Sequence, residues 1–231
     1  STFSAGPVDV TVDYFNITIN DVIMSLGVQE VVNRCFRGNQ SLCGQITRDA
    51  SNNIERVMSM PINLAEYKTD GIDAEILYTM RADRLFPSAG GRLQWRTLAT
   101  WINHLTTDDG EVKLGYIGSQ GSAFIGPGIP RLRVVNNIAY RGDTFGMNLR
   151  ARYISAGKYN AAVDIINNDI GSYTYLDLGF NARIASFAGS DLEIFSNISN
   201  LLDKDPPPSS AFSAYYDVMG RYYSIGARLT F

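Results

Sequence analysis

The segments of this chain that alternate apolar and polar residues are joined by links of two kinds, short and long, in strict succession. Alternation with period two places successive side chains on opposite faces of a strand. From residue 72 the apolar set runs Ile72, Ala74, Ile76, Tyr78 and Met80, opposed by Asp73, Glu75, Thr79 and Arg81 around a single Leu77. Leu93, Trp95, Ala99 and Trp101 oppose Gln94, Arg96 and Thr100, and Leu132, Val134, Ile138 and Tyr140 oppose Arg133, Asn137 and Arg141. Residues 145–153 and 176–184 repeat the pattern, residues 191–200 hold it less cleanly, and Tyr223, Ile225, Ala227, Leu229 and Phe231 close the chain. Residues 8–19 open it, with a change of phase between Val12 and Phe15 of the kind a β-bulge makes. The result is an all-β chain of about eight strands.

Short links cover residues 81–91, 141–143 and 186–190, while long ones span 21–61, 104–130, 155–172 and 203–217. In an antiparallel sheet this order puts every long loop at one end and every tight turn at the other. Outer-membrane barrels have that asymmetry, and their strands need about 9–11 residues to cross a bilayer at barrel tilt. A soluble sandwich gives no reason for it. The face opposite the apolar one carries Arg133, Arg141, Arg150, Arg152 and Arg183, as the wall of a wet lumen would. Those arginines either guide an anion by their summed field or pair across strands with Asp73, Glu75, Asp177 and Glu193. Alternation by itself also fits a soluble barrel whose greasy face is internal. The fold expected is an antiparallel transmembrane β-barrel.

Composition narrows the function. The 231 residues hold 20 basic and 23 acidic side chains, a net charge of −3, without the basic excess of a nucleic-acid binder. At 45% hydrophobic and 19% charged the chain is too apolar for disorder. Its longest uncharged stretch, residues 114–130, contains five Gly and two Pro, which excludes a spanning helix of about 20 apolar residues. The chain opens on Ser1 without Met, basic n-region or apolar h-region, so a leader is expected to have been removed or to lie on sequence further upstream.

Residues 200–207 read N-L-L-D-K-D-P-P and residues 216–223 read Y-D-V-M-G-R-Y-Y, with a terminal Phe231. The pair, in particular Asn200, Leu201, Asp203, Lys204, Pro206, Tyr216, Asp217, Gly220 and Arg221, resembles the last hairpin of TonB-dependent outer-membrane receptors. Residues 12–19, V-D-Y-F-N-I-T-I, and residues 63–75, with Lys68, Gly71 and Asp73, resemble two earlier strands of that family. The resemblance implies a 22-stranded barrel of the Gram-negative outer membrane, plugged by an N-terminal domain, that imports a small nutrient with energy from the TonB complex. About eight strands are present, without plug or TonB box, so residues 1–231 are expected to form a single C-terminal segment of such a barrel. The TonB complex would then be reached only through the missing plug. The resemblance makes outer-membrane lipid and the barrel-assembly machinery further partners. The machinery would read the row Tyr223, Ile225, Ala227, Leu229 and Phe231. A periplasmic C-terminus makes residues 203–217 an extracellular loop, with Phe212, Tyr215 and Tyr216 as ligand-loop residues. Members of the family carry a cysteine pair in the first long loop, which implies a disulfide between Cys35 and Cys43. Two free or metal-binding thiols are the alternative, with no further soft ligand nearby. Residues 28–36, with Val28, Val31, Val32 and Phe36 at helical spacing, are expected to form a short helix that packs this loop.

Two other functions compete. Eight strands can close into a complete small barrel with a structural role. A barrel hydrolase would use His104 as base beside Asp108 and Asp109, but a lone His with no serine motif lacks a second catalytic group. Gly118, Gly121, Gly126 and Gly128 are followed by neither a helix nor a Gly-Lys-Ser/Thr, so they form a loop and not a phosphate cradle. No catalytic residue, cofactor or metal is expected.

Overall fold

In the computed structural model the chain is a large antiparallel sheet with small hairpins and one disulfide-closed loop. The structure describes residues 1–88, 90–108, 113–115, 117–120, 129–160, 166–187, 190–208 and 215–231. In chain order the elements are β1 (Thr2–Ala5), β2 (Val8–Ser25), α1 (Val28–Phe36), α2 (Gln40–Cys43), β3 (Ile46–Arg48), β4 (Ile54–Val57), β5 (Pro61–Arg81), β6 (Arg92–Asp108), β7 (Lys113–Gly115), β8 (Leu132–Arg141), β9 (Phe145–Ile154), β10 (Gly157–Lys158), β11 (Asp169–Ile170), β12 (Tyr173–Phe187), β13 (Ser190–Ser199) and β14 (Tyr222–Thr230). The main sheet runs β1-β2-β5-β6-β8-β9-β12-β13-β14, its strands following one another in chain order, with β7 added to β6. It is not closed: β1 and β14 are its two edges. The eight expected strands are β2, β5, β6, β8, β9, β12, β13 and β14, and the short β1 is a ninth that pairs with β2.

The register sorts every paired side chain from β6 to β14. On one face lie Trp95 opposite Ile138, Ile138 opposite Leu149, Leu149 opposite Leu178, Leu178 opposite Ile198 and Ile198 opposite Tyr223. No Asp, Glu, Lys or Arg falls on this face in any paired row across these six strands. It is also uncovered, with Ile138 48%, Phe180 44% and Ile225 81% exposed. The other face carries Arg96, Asn137, Arg150 and Asp177 in one row and Gln94, Ala139, Asn148, Gly179 and Asn197 in the next. The strands β8, β9 and β13 are 10 residues long and β14 is 9, matching the roughly 9–11 residues of a bilayer crossing.

Two irregularities in the sequence pattern have local causes. Residues 191–200 alternate poorly because Phe195 stands on the polar face, directly opposite Gly226, where a Cβ would collide with its ring. An aromatic ring laid over a cross-strand glycine replaces the packing that the glycine lacks. Asn148 lies over Gly179 and Asn181 over Gly146 in the same manner. The second irregularity is on the apolar face, where Thr97 faces Asn136. The Thr97 hydroxyl donates to Asn136 Oδ1 at 2.6 Å, and Trp95 Nε1 donates to the same oxygen at 3.4 Å. The Asn136 side-chain oxygen thus accepts two hydrogen bonds on this face.

The sequence reading differs from the structure at several element ends. The final strand begins at Tyr222, five residues after the end of the expected 203–217 link, because Arg221 N–H is bonded to Asp203 Oδ1 at 2.7 Å instead of to β13. The apolar row of residues 176–184 is interrupted by a register shift between Arg183 and Ala185. The strand β6 continues past His104 to Asp108.

Two compact units can be described separately: one of residues 1–16, 69–105 and 115–231, the other of residues 17–68 and 106–114. In the second, Val31 (1% exposed), Leu26 and Leu42 form a small core with Ile46 and Val57. The expected helix is present as α1, but its packed face is Val31 with Arg34, and Phe36 is 92% exposed. The Arg34 guanidinium bonds Glu30 one turn earlier at 2.7 Å. A disulfide joins Cys35 to Cys43, so neither thiol is free.

Candidate functional site

The two halves of the C-terminal motif meet at the long-loop end of the sheet, where β9 ends, β12 begins and β13 ends. Asn200 closes β13 in a left-handed conformation, φ 49°, which Asn tolerates better than most residues. It is 1% exposed. Its side chain accepts the Lys204 N–H at 2.9 Å and donates to the Lys204 carbonyl at 3.0 Å, and its own N–H donates to Asp177 Oδ1 at 3.0 Å. Asp203, also left-handed, accepts the Arg221 N–H, and the Arg221 guanidinium reaches the Leu201 carbonyl at 3.4 Å. A Cβ at Gly220 would press on Asp203 Oδ1, which accounts for the glycine before Arg221. The motif is therefore a two-sided clasp at the base of the last long loop.

Arg152 fastens the clasp to the sheet. Its Nε bonds Asp177 at 3.1 Å and its Nη2 bonds Asp217 at 2.5 Å. A guanidinium held between two carboxylates in a partly buried place is fixed in orientation as well as neutralised. Around it Ile154, Ile170, Tyr175 and Tyr216 form a core, with Tyr159, Tyr173 and Tyr215 packed against it. Lys204 lies 4.4 Å over the Tyr173 ring, and Arg152 5.3 Å over Tyr175.

Tyr216 is 5% exposed, and its hydroxyl donates to Gln120 Oε1. Gln120 Nε2 in turn donates to the Ser155 carbonyl at 3.2 Å. Three long loops are joined by this one glutamine. Burial, with the neighbouring tyrosines, pushes the Tyr216 hydroxyl well above the ordinary phenol range. Nothing in the sequence marked Gln120 beyond its place in a glycine-rich loop, since a lone Gln carries no spacing signal.

The expected ligand-loop residues separate. Tyr216 is inside the core, Tyr215 is half-buried with Arg133 5.8 Å over its ring, and Phe212 lies outside the described residues. The arginines of the polar face separate too. Arg96 pairs with Glu75 at 2.6 Å, Arg183 with Asp191 at 3.6 Å and Arg228 with Glu193 at 3.7 Å. Arg133, Arg141 and Arg150 are exposed. Together with Arg152 on its carboxylates, the first group is the cross-strand pairing and the second is the candidate lumenal charge. The terminal row Tyr223, Ile225, Ala227 and Leu229 lies on the apolar face of edge strand β14, ahead of Phe231.

His104 Nδ1 lies 2.8 Å from Asp70 Oδ1, and Asn103 Nδ2 donates to Asp70 Oδ2 at 2.9 Å. The buried Asp70 carboxylate orients both side chains. Gly118 donates its N–H to the Ile129 carbonyl, while Asp109, Gly121, Gly126 and Gly128 lie outside the described residues. Among the described residues no group of His, Cys, Asp and Glu is placed to hold a metal.

The family model for the β-barrel of TonB-dependent receptors and their relatives matches residues 2–201. No curated protein matches the chain by sequence. Among solved structures the fold is similar to a mutant of the ferric enterobactin receptor PfeA of Pseudomonas aeruginosa in complex with enterobactin, at 14% identity and a TM-score of 0.58. It is equally similar, at 14% and 0.58, to the siderophore receptor PirA of Acinetobacter baumannii. Each alignment covers 99% of this chain and 30% of the receptor, so the chain spans under a third of the length of these structures.

Proposed function

Because the chain belongs to the family of TonB-dependent receptor β-barrels, we propose that residues 1–231 are the C-terminal wall of an outer-membrane transporter, with surface loops that capture a small nutrient. The observation that carries this is the segregation of faces: six consecutive strands in register present one side without charge and one side of arginine, asparagine and aspartate. A face without charge suits hydrocarbon, and the opposite face suits a wet lumen. The clasped loop base, with Arg133 and Tyr215 beside it, sets cationic and aromatic groups at the outer mouth, where an anionic or aromatic nutrient would dock first. The receptors of similar fold carry siderophore names, and that class is the first to assay. The lumenal Arg133, Arg141 and Arg150 would favour anions along the wall. A Gram-negative outer membrane, its lipid, and a TonB complex reached through a plug domain complete the reading. The terminal row ending in Phe231 would serve the barrel-assembly machinery. A complete eight-stranded barrel is less well supported, since β14 does not pair back to β1 or β2.

Orientation is testable by thiol labelling, since Cys35 and Cys43, the two cysteines of residues 1–231, are joined in the disulfide. With the whole receptor expressed in its host, Ser172→Cys in a long loop should react with a membrane-impermeant maleimide on intact cells. Ser88→Cys in a short turn should react only after the outer membrane is permeabilised. Labelling of both sites on intact cells contradicts the proposal.

A further inference from the structure

At the short-turn end, on the apolar face, Phe86, Leu93, Tyr140, Phe145 and Met147 line a groove of about 620 Å³. The Tyr140 hydroxyl donates to the Gly90 carbonyl at 2.8 Å, which fastens the turn after β5 beside the strand ends and makes one wall. Tyr140 and Phe145 stand 4.9 Å apart and Phe145 and Phe180 6.2 Å, so the groove opens onto a row of rings crossing three strands. Its far end is polar: Ser88, Gly90, Asp143 and Thr144. Asp143 is the one charged side chain among the lining residues, it is exposed, and no salt bridge to it is found among the described residues.

An apolar trough ending in one carboxylate and two hydroxyls fits an amphiphile with a hydrocarbon tail and a cationic, hydrogen-donating head. We propose that this groove is a specific site for a membrane phospholipid with a primary ammonium headgroup, an acyl chain lying along Leu93, Tyr140, Phe145 and Met147 and the ammonium on Asp143. The inference rests on the proposed membrane reading, which places this face in lipid. A primary ammonium has three N–H donors for Asp143, Ser88 and Thr144, as a lysine head has. A choline head has the charge without the donors. A glycerol head has hydroxyl donors but no cation, so its lipid carries a net negative charge that the Asp143 carboxylate repels. Aromatic rings at the rim of an apolar band suit the boundary between hydrocarbon and headgroup.

The test uses the whole receptor, reconstituted into nanodiscs holding equal parts of ethanolamine, choline and glycerol phospholipids, with retained lipids counted by native mass spectrometry. The ethanolamine lipid should be retained about two- to fivefold over each of the others, the effect of an interfacial ion pair against glycerol and of hydrogen bonds to the charged group against choline, and Asp143→Asn should abolish the preference. Heat-dependent mobility on SDS gels shows that the variant is folded; Thr144→Val, which keeps the carboxylate, should reduce the preference without removing it. Equal retention of the three lipids, or a preference that survives Asp143→Asn, overturns the proposal while leaving the barrel reading intact. A receptor that does not enter the bilayer at all overturns both.

Discussion

At the scale of single residues, Thr97 and Asn136 are polar side chains on the apolar face, and they pair with each other. Asn136 on the apolar face would be costly in hydrocarbon alone, and Thr97 directly across the ladder answers it. Removing the hydroxyl by Thr97→Val should destabilise the folded barrel by about 1 kcal/mol, the net worth of one hydrogen bond, since Trp95 Nε1 still donates to the same oxygen. Adding Asn136→Leu should recover most of that loss, as a double-mutant cycle in urea would measure. Tyr216 gives a pH signature. Its hydroxyl is held above the ordinary phenol range by burial, so the protonated form is favoured by the folded state. The stability this contributes is fully present below the unfolded phenol pKa of about 10 and is lost as pH rises beyond it toward the folded value. The outer loops should therefore loosen above about pH 10, and Tyr216→Phe should flatten that dependence while costing about 1 kcal/mol at pH 8 through loss of the Gln120 bond. Neither Gln120 nor Thr97 was legible in the sequence, because each acts through a partner far along the chain and neither falls in a motif.

At the scale of elements, the period-two pattern was enough to find the long strands and to sort their faces, since that sorting depends only on parity within each strand. Element ends were less legible. The stop of β13 and the start of β14 are set by side chains of Asn200 and Asp203, which bond backbone groups that the ladder would otherwise use. The helix α1 was legible by its spacing, yet which of its apolar residues pack was not, because Val31 meets Leu26 and Leu42 from outside the helix while Phe36 is left exposed. The parity assignment predicts the effect of charge. Leu178→Arg, near the middle of the apolar face, should cost about 2–4 kcal/mol in a bilayer, and Asn181→Arg on the other face of the same strand should cost about 1 kcal/mol or less. Unfolding of the whole receptor from lipid vesicles by denaturant would compare them, and equal costs would mean that the two faces share one environment.

At the scale of the whole molecule, the succession of short and long links is what chain order contributes beyond strand pattern. It assigns every clasped loop to one end of the sheet and every tight turn to the other, and the register agrees with that assignment at each hairpin from β8 to β14. The family was legible through the C-terminal motif, whose described residues fasten the base of the last long loop. The most direct measurement is a nitroxide scan along residues 176–183 of β12 in the whole receptor in lipid bilayers, comparing accessibility to oxygen with accessibility to a water-soluble nickel chelate. Oxygen accessibility should peak at Leu176, Leu178, Phe180 and Ala182, with the nickel reagent out of phase at Asp177, Gly179, Asn181 and Arg183. The opposite phase, or no alternation, would contradict a lipid-facing apolar wall.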